Sequence, residues 1–164
     1  MGSGQRTSGR IRVGGIIEHR NLALVGVMSA PDRPGLAAAV FRSLGSAGLN
    51  TQFIVQSIDL NDHSHIQFLV AEGDLEQTLE VLQPVAEALA VERLTDLHPV
   101  MQLAVFGPDF RERPGIAAVV FGALASAGVN ILAVSTSIST VSCVFHDRDR
   151  DAAEQALRGV LELP

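Results

Sequence analysis

Residues 33–50 read RPGLAAAVFRSLGSAGLN, and residues 113–130 read RPGIAAVVFGALASAGVN. The two stretches lie 80 positions apart without a gap, and 12 of their 18 positions are identical. Most of the other exchanges are between small or apolar residues. Identity of this density at a fixed offset makes the chain two copies of one structural unit. In the first copy, apolar residues recur at Leu36, Ala37, Val40, Phe41, Leu44 and Ala47; in the second, at Ile116, Ala117, Val120, Phe121, Leu124 and Ala127. Spacings of three and four place each set on one face of a helix. Pro34 and Pro114 suit a first helical turn, where a missing N–H costs nothing. Gly48 and Gly128 follow the last apolar position, where a left-handed cap is expected. Each copy therefore carries a capped helix of about four turns.

Working outward, a short apolar strand precedes each helix, Leu22 to Met28 and Met101 to Phe106, and another follows it, Gln52 to Asp59 and Ile131 to Ser137. Asn61-Asp62 marks a turn into an antiparallel partner, Ser64 to Val70, whose counterpart is Val141 to Phe145. A second helix closes each copy: Asp74 to Ala90, in which Pro84 is expected to kink or interrupt the helix, and Asp149 to Leu161. Val91 to Leu97 adds a last strand to the first copy, with His98 in a linker. The order is βαββαβ, so the fold class is α+β: two ferredoxin-like units, each an antiparallel sheet with helices on one face. The second copy reaches Pro164 with no strand after its helix, whereas Ile11 to Ile17 stands unassigned before the first copy. This N-terminal strand is expected to complete the second sheet. The expected domains are residues 20–98 and residues 11–19 plus 99–164, after a flexible start at 1–10.

Composition narrows the function classes. Of 164 residues, 47% are hydrophobic and 18% charged, which suffices for packed cores. The net charge of −6 argues against nucleic acid, since phosphate contacts need clustered Lys and Arg. Binding through exposed aromatics on the central strands is not expected either, because Phe53 and Phe68 are flanked by apolar positions and read as core. No apolar run reaches the ~18 residues that span a bilayer, so no membrane partner is expected. The one cysteine, Cys143, lies in an apolar strand, reads as a small buried side chain, and suits a reducing cytoplasm. His63 and His65 point to one side of a strand and could begin a metal site, but no third ligand accompanies them, so no metal is expected. No phosphate loop, nucleophile motif or acid–base set appears, so no catalytic residue is assigned.

The segments SAPDRPGLAAAVF, GLNTQFIVQS, RPGIAAVVF, AGVNILAVSTS and VSCVF, with the lead-in from Val13 to Asn21 and the leucine-rich helix holding Pro84, resemble the tandem ACT domains of aspartate kinase. These are that enzyme's feedback-regulatory part. The resemblance runs from about Arg12 to the end. It implies a regulatory module without a catalytic domain. That module would bind threonine or lysine as effector, need no cofactor, form a homodimer through its ACT domains and join a catalytic aspartate kinase subunit. The other reading is a free-standing amino-acid sensor acting on another enzyme or a transcription system. Two departures stand out: Ile138 follows Ser137 where the family usually has an acidic residue, and the loop Gly107 to Glu112 is unlike Ala30-Pro31-Asp32.

A free amino acid presents a carboxylate and an ammonium, so its site needs a donor-rich hollow beside an acceptor. The helix start at Pro34, Gly35, Leu36 and Ala37 suits the carboxylate. Asp32 suits the ammonium, and Gln56 suits a side-chain hydroxyl or ammonium. The resemblance implies that Asn130 and Ile131 of a second chain close this site. It also implies a pseudo-equivalent site of Arg113, Pro114, Gly115 and Ile116 with Asn50 and Thr51. Plainer roles stand beside these: Asp32 as a helix cap, Asn50 and Asn130 as turn residues, Gln56 as a satisfied polar residue on a half-buried strand, and Arg113 as a solvated cation.

Overall fold

The computed structural model describes residues 9–111 and 114–164; the first eight residues of the expected flexible start, Glu112 and Arg113 lie outside the described residues. The chain divides into two compact units: His19–Gln102, and a second formed by the segment up to Glu18 together with Leu103–Pro164. Both are α+β with the ferredoxin-like order.

In the first unit the strands are β2 (Gly15–Pro31, from His19 onward), β3 (Gln52–Ile58), β4 (His63–Ala71) and β5 (Arg93–Phe106, as far as Gln102), ordered β3-β4-β2-β5. β4 pairs antiparallel with β2 from Leu22↔Ala71 to Pro31↔His63, and with β3 from Gln52↔Leu69 to Ile58↔Ser64. Alternation puts Ala23, Val25, Val27, Ile66, Phe68 and Val70 on the core face, where they are almost wholly buried. Helix α1 (Leu36–Ser46) covers that face with Leu36, Val40 and Leu44, and α2 (Leu75–Ala88) with Leu75, Thr78, Leu82 and Ala86. The Phe41 ring meets the Phe68 ring edge-on, centroids 5.3 Å apart.

In the second unit β1 (Ile11–Arg12) pairs in parallel with β8 (Leu161–Glu162). The first residues of β2 and the last of β5 join β7 (Thr140–His146) and β6 (Ala133–Thr136), in the order β2-β5-β7-β6. α3 (Ile116–Ser126) buries Ile116, Val120 and Leu124, and α4 (Arg150–Val160) buries Ala153 and Leu157.

Several expectations are corrected. Ile11 to Ile17 is not one strand. Val13 N–H donates to the Glu162 carbonyl at 3.0 Å, and the next residue, Gly14, donates to the Phe106 carbonyl at 2.7 Å, so the chain changes partner there. Gly14 permits this because a Cβ would come within 2.8 Å of the Phe106 ring. A strand does follow the second copy's last helix: Leu161 leaves the helix with φ −107° and ψ 141° and pairs with Ile11. The first helices are three turns rather than four, 11 residues each. Pro34 and Pro114 precede them rather than opening them, because Gly35 and Gly115 take left-handed φ of 93° and 91°. Pro84 does not interrupt α2. Pro84 and Glu80, whose carbonyl loses its usual donor, are both exposed, so the lost bond falls on the wet side. Finally, β5 is one strand running through His98 and Pro99 rather than two strands about a linker.

Candidate functional site

The loop between β2 and α1 is set by turn chemistry. Asp32 N–H donates to the Asp62 carbonyl at 3.0 Å, which ties the loop to the β3–β4 turn. Gly35 then swings the chain into α1, whose first ladder bond runs from Ala39 N–H to the Gly35 carbonyl at 2.9 Å. The N–H groups of Ala37 and Ala38 precede that ladder and project from the positive end of the helix dipole. A Cβ built on Gly35 would meet nothing within 4 Å, so the space in front of this helix start is open. Leu36 is buried, Ala37 half-buried, and Pro34 exposed.

Asp32 does not cap the helix: α1 has no side-chain cap. Its Oδ1 instead accepts from the Ser64 hydroxyl at 2.7 Å, and Ser64 Oγ lies 3.2 Å from Gln56 Nε2. Asp32, Ser64 and Gln56 thus form one chain across three strand ends. Ser64 is wholly buried, paired with Ala30 on one side and Ile58 on the other, whereas Asp32 and Gln56 are exposed. The structure therefore joins Asp32 to Gln56 through Ser64, and Gly35, Leu36 and Ala37 follow Asp32 within five positions of the chain. Ser64 was missed from sequence; its only signal was an inward position between two histidines in an alternating strand.

Asn50 and Thr51 lie beyond the other end of α1, about 16 Å away along a helix of this length. They line a separate cleft of about 290 Å³ with Leu22, Gln52, Ala71 and Asp74. Within one chain the two groups are not neighbours. In the second unit Pro114, Gly115, Ile116 and Ala117 line a cleft of about 270 Å³ with Phe110, Thr136, Ser137 and Val141. Arg113 lies outside the described residues. Asn130 is exposed and Ile131 half-buried, just past the end of α3. Thr136 occupies the position equivalent to Gln56, 80 residues on, and Ile138 is 70% exposed. Among the described residues, Gln56 of the first helix-start site is replaced by a hydroxyl, Thr136, beside Phe110 in the second, while Glu112, equivalent to Asp32, lies outside the described residues.

His63 and His65 share a neighbour in Asp59. His65 Nδ1 accepts from Ser29 N–H at 3.2 Å, so Nε2 carries the proton and donates to Asp59 Oδ2 at 3.1 Å. His63 Nδ1 is 3.9 Å from Asp59 Oδ1. Among the described residues no three or more His, Cys, Asp or Glu side chains gather as for a metal ion. Cys143 is 1% exposed, and burial pushes its thiol up to about 12, so it is inert at neutral pH. No described helix is long and apolar enough to cross a membrane.

Comparison with known proteins agrees with the repeat. The ACT domain family matches residues 22–84 and again 103–161. The chain is similar to the aspartokinases of Thermus thermophilus, 31% identical over 150 residues, and Helicobacter pylori, 27% over 151. It covers 90–92% of itself in these matches but only 36–37% of those proteins, little more than a third of their length. Among solved structures it is similar to the ligand-free regulatory subunit of aspartate kinase from Thermus thermophilus. There the TM-score is 0.83 and the identity 27%, covering 92% of this chain and 99% of that one. The Synechocystis aspartate kinase matches at TM-score 0.85 and 34% identity, over 90% of this chain and 26% of that one. With the family matched twice, over most of both units, the chain belongs to the ACT-domain family as a tandem pair of ACT domains.

Proposed function

We propose that this chain is the amino-acid-sensing regulatory part of an aspartate kinase. It performs no chemistry itself, and its effector is threonine, lysine or both. The observation that carries this reading is the coverage: the likeness to a separate regulatory subunit takes in 99% of that subunit. A structure described as aspartokinase alpha and beta subunits matches at TM-score 0.82 with 28% identity, over 97% of its chain, which favours a catalytic subunit as partner. The setting is cytoplasmic, where the enzyme's substrates lie.

In the first site, the effector carboxylate meets the N–H groups at the start of α1, and its ammonium meets Asp32. Gln56 reads the side chain. Asn130 and Ile131 of a second copy close the site, and the pseudo-equivalent site uses Arg113, Pro114, Gly115 and Ile116 with Asn50 and Thr51. An amino acid held between two chains binds the closed dimer better than the open one, and that difference in affinity is what regulates.

The test is thermal unfolding of the purified chain with each of the twenty amino acids. Threonine or lysine at about 100 times its Kd is expected to add about 2.7 kcal/mol of stability, and Asp32→Ala to abolish the shift. No shift with any amino acid overturns the reading. Binding with co-purification of an enzyme other than a kinase supports the free-standing sensor instead.

A further inference from the structure

The hydrogen-bond chain Asp32–Ser64–Gln56 has a direction. A serine hydroxyl carries one proton, and a carboxylate accepts only. The 2.7 Å contact to Asp32 Oδ1 therefore takes the Ser64 proton. Ser64 Oγ is left to Gln56 as an acceptor at 3.2 Å, so the atom facing it is the amide NH₂ and the amide oxygen points elsewhere. Burial of Ser64 keeps water from offering its hydroxyl another partner. The exposed ends of the chain are then the second Asp32 oxygen, an acceptor, and an acceptor-rich amide edge at Gln56, with both Oε1 lone pairs outward and one of the two Nε2 hydrogens committed to Ser64.

We propose that Ser64 is the specificity-determining residue of this site: by locking the Gln56 amide with its oxygen outward, it selects amino acids whose side chain carries a hydrogen-bond donor, an ammonium or a hydroxyl. This rests on the amino-acid-binding reading above. Were the amide free to turn, its NH₂ would serve acceptors equally, and the site would lose its sign. Ser64 touches no ligand in this scheme; it acts by positioning Gln56.

The test is calorimetric titration of the intact chain with two pairs of amino acids in which a side-chain donor is exchanged for an acceptor: lysine against 2-aminoadipate, and threonine against O-methylthreonine. The wild-type chain is expected to prefer the donor-bearing member of at least one pair by about tenfold, the scale of one net hydrogen bond. Ser64→Ala is expected to bring that ratio toward one, and Ser64→Thr, which keeps the hydroxyl, to hold it. A general loss of packing would weaken both members of a pair and leave their ratio unchanged. If Ser64→Ala does not fold, Ser64→Cys, nearly isosteric with a weak donor, is expected to lower the ratio. An unchanged ratio in the Ala or Cys variant overturns the role of Ser64 and leaves amino-acid binding intact. A wild-type chain that binds no amino acid overturns both.

Discussion

The Asp59 carboxylate accepts from three sides of the β3–β4 turn: Asn61 N–H at 2.8 Å, His63 N–H at 3.1 Å and the His65 ring at 3.1 Å. These donors hold it down to about 2 from the ordinary 3.8, with the His63 N–H first among the causes, then the His65 ring and the Asn61 N–H. A depressed carboxylate contributes stability above its unfolded value and loses it as pH falls through its folded value. The contribution is therefore whole at pH 5 and lost between about pH 4 and 2. Asp59→Asn, a mimic of the protonated form, is expected to be less stable than wild type at pH 6, with the gap closing by pH 2 in urea unfolding. A gap that stays constant with pH assigns the loss to the turn geometry rather than to the charge. At this scale the sequence was only partly legible. Asp32 and Gln56 could be picked out because chemistry names them. Ser64 and Asp59 could not, because their importance comes from neighbours 32 and 6 residues away that strand pairing supplies.

At the scale of elements, helices read well at their centres and poorly at their ends. The apolar period located α1 and α3, and the glycine signal located their caps. Gly48 and Gly128 take φ of 75° and 72°, and the next N–H, of Leu49 or Val129, returns to the carbonyl of Leu44 or Leu124 at 3.0 Å. α2 ends in the same way without a glycine. Val91 N–H returns to the Ala86 carbonyl at 2.9 Å while Ala90, exposed, sits at φ 54°. An L-residue there costs about 1 kcal/mol through its Cβ. Ala90→Gly is expected to raise stability by about that amount, a few degrees in melting temperature for a unit of this size. A loss instead would mean that the freedom glycine gives the unfolded chain outweighs the relief of strain. Strand ends failed for a different reason. Pro99 reads as a break, yet β5 passes through it, since proline removes one donor without forbidding extended backbone.

At the scale of the molecule, the duplication settled the architecture because an 80-residue offset leaves little freedom in assigning elements. It did not give the path of residues 9–18, which depends on two hydrogen bonds and one close approach at Val13 and Gly14 that no periodicity announces. The consequence is an asymmetry between the copies. His19–Gln102 holds all four strands of its own sheet, and its core cluster draws on residues 23 to 94 alone. The second unit needs Ile11 to Glu18 for two separate jobs: pairing with β8, and supplying the strand beside the end of β5. Arg150 Nε also donates to Glu18 Oε1 at 2.8 Å within that unit, joining the start of α4 to the same lead-in. The fragment 19–102 is therefore expected to fold alone, with a cooperative thermal transition by circular dichroism. The fragment 103–164 is expected to stay unfolded until a peptide of residues 9–18 is added or fused to its C-terminus. Cooperative folding of 103–164 on its own would mean that the lead-in lies against a sheet already stable without it.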